Sequence, residues 1–179
     1  FDRIVSVLQN VDSNYKTDLL FPLIKSVQQL TGNSDQDVEN NFTPYRVIAD
    51  HARAATFLIA DGVVPGNTSR NYVCRMIIRR AARFAGKLGI NKPFLAQISK
   101  TVIENYGEAY PELIKNQQTI LENLTREEKR FAKTLNAGLI YLDDLFNQLN
   151  NENIKVISGG EAFSLYATHG LPFEITRDI

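Results

Sequence analysis

The chain has 179 residues, 44% hydrophobic and 22% charged, and its 20 basic residues are matched by 20 acidic ones. Such a composition suits about one soluble globular domain with a real core and argues against disorder. The single cysteine, Cys74, excludes an intrachain disulfide and fits a reducing compartment; no Cys/His cluster has zinc spacing, so no metal site is expected.

The chain opens on FDRIVSVLQ, with Ile4, Val5 and Leu8 at helical spacing and no cap before them. It has no initiator Met and no visible signal peptide, and is expected to be cut from a longer polypeptide. Apolar runs are short and broken by charge, far from the roughly 20 residues that span a bilayer. After the Asp12-Ser13-Asn14 turn, Leu19, Leu20, Leu23, Ile24, Val27 and Leu30 predict a core-facing helix that Gly32 stops, with Pro22 tolerated near its start.

Residues 33–43 read as an exposed connection or a short capped turn. Thr43 as N-cap and Pro44 at the first position predict a helix to about Asp61, with Val47, Ile48, Ala52, Ala55, Phe57, Leu58 and Ile59 among its apolar residues. Gly62 and Pro65-Gly66-Asn67 break the chain, and Asn67 or Thr68 is placed to cap the next helix, which Gly89 ends. Further helices follow at 93–106 and around Leu113–Leu124. Thr125 with Glu128 has the spacing of a capping box opening the longest helix, which carries Phe131, Leu135, Leu139, Leu142, Leu145 or Phe146, and Leu149. A polar linker at 147–153, a brief β-like stretch at 154–157 and a capping box at Ser158/Glu161 come next; the last helix stops at Gly170 and Pro172. The fold class is all-α, an irregular and mostly antiparallel helical domain with at most a very short β segment near 154–157.

Charge is segregated locally. Arg70, Arg75, Arg79, Arg80, Arg83 and Lys87 lie in one helix with no acid among them, and Arg75, Arg79, Arg83 and Lys87 recur at every fourth position. Such a stripe is either a solvated face whose arginine stems cover apolar surface or a surface for phosphate. Asn67, just before it, either caps the helix or reads a base edge with its donor and acceptor.

His51, with no nucleophile at catalytic spacing, reads as a packed histidine, and Cys74 as packing. His169 either stacks on a base or finishes a helix. The pairs Glu127-Glu128 and Asp143-Asp144 read as solvated helix-surface charge. No Gly-rich phosphate loop and no complete catalytic site is expected in the chain as it stands.

The block RVIADHARAATFLIADGVVPGNTSRNYVCRMIIRRAAR (46–83) resembles the signature region of alanyl-tRNA synthetases. GGEAFSLYATHGLPFEITRDI (159–179) is similar to the segment after that family's long helix, and FDRIVSVLQNVDSNYKTDLLFPLI (1–24) to its passage out of the class II catalytic core.

The resemblance implies an internal fragment: residues 1–12 as the end of the class II core and 13–179 as the helical domain that recognises the tRNA acceptor stem and its G·U pair. Arg3 matches the motif 3 arginine that binds ATP phosphate, with Asp2 where the family usually has Glu. The parent would ligate alanine to tRNA(Ala) in the cytoplasm using ATP with Mg; the fragment is expected to be inactive, monomeric and without bound cofactor. Asn67 matches the recognition asparagine, and Arg70, Arg75, Arg79, Arg80, Arg83 and Lys87 the segment approaching the stem.

The second recognition residue, an Asp in the family's Leu-Tyr-Asp-Thr-Tyr-Gly turn, is Ala167 here, which cannot accept a hydrogen bond through its side chain; His169 is a candidate to compensate. Asn71 stands where Gly is usual and Met76 where Arg is usual. The rival reading from the residues alone is a non-enzymatic helix-turn-helix module on duplex DNA, with 68–71 at the exposed start of its recognition helix.

Overall fold

In a computed structural model that describes residues 1–171 and 173–178, the side chains of 174, 175 and 178 excepted, every regular element among the described residues is helical. The elements are α1 (Asp2–Leu8), a 3-10 turn (Asn14–Lys16), α2 (Phe21–Thr31), α3 (Asp35–Asn40), α4 (Phe42–Ala60), α5 (Ser69–Gly86), α6 (Leu95–Tyr106), α7 (Pro111–Lys115), α8 (Gln117–Asn151), α9 (Gly159–Ala167) and α10 (Phe173–Asp178). Two compact units, 1–128 and 129–179, divide the chain within α8.

In the first unit α4 is the central element, packed against α5, α6, α2, α3 and α7. Its buried residues Tyr45, Ile48, Ala49, Ala52, Ala55, Thr56 and Ile59 recur at three and four. Alanines on that face keep side-chain bulk low where α5 adds Ala81 and Ala85 to the same core. Packing there depends on close backbone approach, so a larger side chain would have to displace a helix. The buried Thr56 hydroxyl donates to Ala52 O at 2.7 Å and lies 2.7 Å from Ser99 Oγ, so the polar pair between α4 and α6 is satisfied. Arg53, also on α4, donates to both Asp2 oxygens at 3.2 and 2.7 Å, which holds that carboxyl below its ordinary range and ties α1 to the unit.

Several boundaries differ from the sequence reading for local reasons. The segment 33–43 contains α3, with Ser34 and Asp37 forming a reciprocal capping box. α4 begins at Phe42 behind Asn41, and Pro44 sits within its first turn, where amides lack intrahelical partners anyway. α2 ends as expected: Gly32 adopts φ 69° and its N–H donates to Gln28 O.

The supposed capping box at Thr125 and Glu128 lies inside α8, which already starts at Gln117. Thr125 Oγ1 donates back to Leu121 O at 2.8 Å, as threonine does in a helix interior. Glu128 does cap a helix, but a different one: it accepts from Phe94 N at 3.0 Å and from Leu95 N at 3.2 Å, at the start of α6. Most of the polar segment 147–153 continues α8, whose last turns bury Leu145 and Leu149. Residues 154–157 take no strand, since no neighbouring edge supplies a ladder.

The second unit buries Phe131, Leu142, Leu145, Leu149, Leu165 and Leu171. The capping box at Ser158/Glu161 forms as expected: Ser158 N donates to Glu161 Oε2 and Glu161 N to Ser158 Oγ. Gly170 turns at φ 65°; Pro172 lies outside the described residues.

Burial pushes the Glu128 carboxyl up to about 7, partly offset by the Phe94 and Leu95 amides. The folded state therefore holds this proton more tightly than the unfolded chain, and the stability it contributes is present below about pH 4.5 and lost as pH rises through about 7. Glu128→Gln should flatten that slope in pH-dependent urea unfolding. Glu128→Ala should cost about 1–3 kcal/mol by orphaning the two amides.

Candidate nucleic-acid interface

The candidate site starts from the turn between α4 and α5. Val63 N donates to Leu58 O at 2.9 Å and Gly66 N to Asn71 O at 3.0 Å, so the turn is pinned to the end of α4 and the start of α5. Val63 is buried, Asn67 exposed. Thr68 is the N-cap of α5 but makes no side-chain cap bond, and Ser69 sits at φ 52°, a left-handed conformation that serine seldom adopts. Asn67 is not a cap either: its Oδ1 accepts from Arg75 Nη1, one face of α5 further along.

α5 presents three surfaces. Cys74, Ile78, Ala81 and Ala85 are buried, and burial, with the charge of Glu127 adding to it, pushes the Cys74 thiol up to about 11. This cysteine is packing, not a nucleophile. Arg70, Arg80 and Lys87 are exposed and Arg83 is half-exposed. The Phe84 ring gathers two of them, with Arg80 Cζ at 6.0 Å and Lys87 Nζ at 5.5 Å from its centroid.

Arg75 and Arg79 form the third surface. Arg79 Nε donates to Glu127 Oε1 at 2.9 Å, and Arg75 Nε lies 3.2 Å from the same oxygen. Glu127 is 2% exposed and the two arginine side chains 14% and 16%. The basic stripe is thus split, with its first two members holding a buried acid.

The reading of Glu127 and Glu128 as solvated is overturned, since both are buried. Glu127 was missed because its partners are about fifty positions away in sequence. A signal was present, however: Glu127 shares a helical register with the buried Ile120, Leu124 and Phe131, so an inward orientation was legible. Asp143 and Asp144 are exposed, as expected.

His51 is largely buried, with Nδ1 3.3 Å from Asp50 Oδ2. Arg3 is exposed on α1, beside the anchored Asp2. In the second unit Ala167 is the exposed last residue of α9. His169 follows, and its ring stacks on Tyr141 with centroids 3.9 Å apart at 14°. The C-cap of α9 is Thr168, so the ring contact with Tyr141 is what the structure adds for His169.

All 179 residues match the family model described as class II (A) tRNA synthetases. The chain is 43% identical to an alanine–tRNA ligase of Chloroflexus aurantiacus and 46% identical to one of Stenotrophomonas maltophilia, in each case over 99% of this chain. The chain belongs to the alanyl-tRNA synthetase family. It spans about a fifth of the length of these relatives.

Within the alanyl-tRNA synthetase pattern, the departure at Asn71 has a structural counterpart. A Cβ on Gly66 would lie 2.9 Å from Asn71 Cβ, so the turn accepts a side chain at 71 because 66 has none. Gly66→Ala should cost about 1–3 kcal/mol, as overpacking does, and Asn71→Gly should relieve most of it in a double-mutant cycle read by urea unfolding. Glu127→Ala should cost more, about 3–5 kcal/mol, because two partly buried guanidinium groups lose their counter-charge; calorimetry of the purified chain would measure it.

Proposed function

We propose that the chain is the acceptor-stem recognition part of an enzyme that attaches alanine to tRNA(Ala) using ATP, with residues 1–12 ending its class II core and 13–179 forming the helical recognition domain. The observation that carries this reading is the exposed Asn67 at the head of a helix whose outward side holds Arg70, Arg80 and Lys87, with Arg83 half-buried beside them. Phosphate contacts dock and orient; an amide placed beside them supplies base readout. The minor groove of an RNA helix is wide and shallow enough for a side chain on a turn to reach the base edges. Family membership and the names of the relatives support the alanine–tRNA ligase part of this reading.

Arg70, Arg80, Arg83 and Lys87 take the phosphate contacts, while Arg75 and Arg79 serve from behind, through Glu127 and Asn67. Ala167 and His169 are the second unit's proposed contacts; Ala167 brings no acceptor side chain, so readout of the G·U pair rests on Asn67. Arg3 fits one phosphate contact to ATP and nothing more of a nucleotide site. ATP, with Mg, supplies the activation of the amino-acid carboxyl group; this chain's share is to bring the stem to it. Among the described residues no helix is long and apolar enough to cross a membrane, and a cytoplasmic location is proposed with the function.

Binding of tRNA(Ala) should weaken steeply with salt, with a log–log slope of roughly three to four for four phosphate contacts. In the full-length synthetase, Asn67→Ala should cost about 1–3 kcal/mol of discrimination between G·U and G·C stems. Charging rates on the two stems measure it, and equal loss on both would remove the readout role. Binding of duplex DNA as strong as that of tRNA(Ala) would favour a DNA-binding module instead.

A further inference from the structure

We infer that Glu127 and Arg75 are a positioning device for Asn67, fixing its amide so that the carbonyl turns inward and the NH2 group is the donor offered to a base edge. This rests on the acceptor-stem reading above and adds to it the residues that prepare the reader.

The chain of contacts begins in the core. Glu127 stands on α8 in register with Ile120 and Leu124, at 2% exposure, so its carboxylate has little freedom to move. Its Oε1 lies 3.2 Å from Arg75 Nε and 2.9 Å from Arg79 Nε. Arg79 Nε is hydrogen-bonded to Glu127, whereas Arg75 Nε is held by charge without a hydrogen bond. The planar guanidinium of Arg75, mostly buried beside that carboxylate, is still restricted in where its Nη atoms point. Nη1 of Arg75 donates to Asn67 Oδ1, which sets the rotamer of an exposed side chain from a buried origin.

The orientation of that amide follows from chemistry alone. Arginine carries only donors, so the Asn67 atom facing it must be the oxygen. Both amide hydrogens are then directed away from Arg75, where they match acceptors such as the pyrimidine O2 and purine N3 of the minor groove. Ordering Asn67 before the stem arrives also removes part of the entropy cost of binding. Lysine at 75 would keep the charge but present a single ammonium, unable to span Glu127 and Asn67 with a rigid fork.

The test uses the full-length synthetase with Asn67→Ala, Arg75→Lys, the double variant and Glu127→Gln. It compares kcat/KM for charging G·U and G·C acceptor stems, with thermal unfolding of each variant. Asn67→Ala should lower the G·U preference by roughly tenfold. Arg75→Lys should lower it by a similar factor, and the double variant should lose no more than Asn67→Ala alone. Glu127→Gln, which keeps a neutral acceptor for the arginines, should lower it by a smaller factor.

Three outcomes overturn the inference. A normal G·U preference in Arg75→Lys, with Asn67→Ala impaired, leaves the recognition reading standing and removes the positioning role. Equal loss on both stems makes Arg75 a general brace or a phosphate contact. A normal preference in Asn67→Ala removes the recognition reading itself, and the device with it. If Arg75→Lys does not fold, Glu127→Gln decides alone: an unchanged preference overturns the role, a lowered one supports it.

Discussion

A carboxylate taken out of water must be compensated, and Glu127 is compensated by two guanidinium groups from a single helix. That pairing fixes the rotation of α5 about its own axis. With Arg75 and Arg79 turned toward Glu127, Cys74, Ile78, Ala81 and Ala85 face the core, and Arg70, Arg80 and Lys87 face solvent. Glu128, one residue on and about 100° around α8, reaches the amides of Phe94 and Leu95. Two adjacent acids thus serve two helices: one orients α5, and the other supplies the cap that α6 lacks in its own sequence.

The turn that carries Asn67 is held from both sides by backbone bonds and from behind by Arg75. An exposed side chain on an unsupported loop would have to be ordered by whatever binds it. Here much of the order is intrinsic and comes from the core through α8. α4 contributes the other fixed reference, because its alanine-rich face leaves little room for α5 to shift. Arg53 extends the same logic to α1, whose Asp2 it holds by two bonds.

The parts of the fold that depend on local chemistry were legible in the sequence. Gly32 closing α2, Ser158 and Glu161 opening α9, and the apolar periodicity of α4 all form as their residue types dictate, whereas the periodicity of α8 breaks at Leu139, which is exposed. Errors arose where a local pattern had a distant partner. Thr125 and Glu128 have capping-box spacing, yet nothing near them interrupts α8, so the same spacing is used mid-helix and across space. Residues 154–157 have strand-like composition, but a strand exists only with an edge to pair with. Asn67 was read as a cap or a base reader; the N-cap is Thr68 instead, and that the Asn67 oxygen is held by Arg75 follows only from the rotation of α5. His169 was read as stacking on a base or finishing a helix; its stack on Tyr141, 28 residues away, was not legible in the sequence.

Splitting the basic run also changes what ionic strength should do to it. Charges exposed on the outer side of α5 act through water and are screened over about 10 Å at moderate salt. The Glu127 cluster is enclosed and much less sensitive. If the exposed charges dock a stem as proposed, docking and orientation are therefore separable in energy, though both are electrostatic and both arise from one helix. On the proposed function, salt that releases a bound stem leaves the turn, Arg75 and Asn67 in place. A uniform solvated stripe would lack this property: salt would weaken all of its charges together.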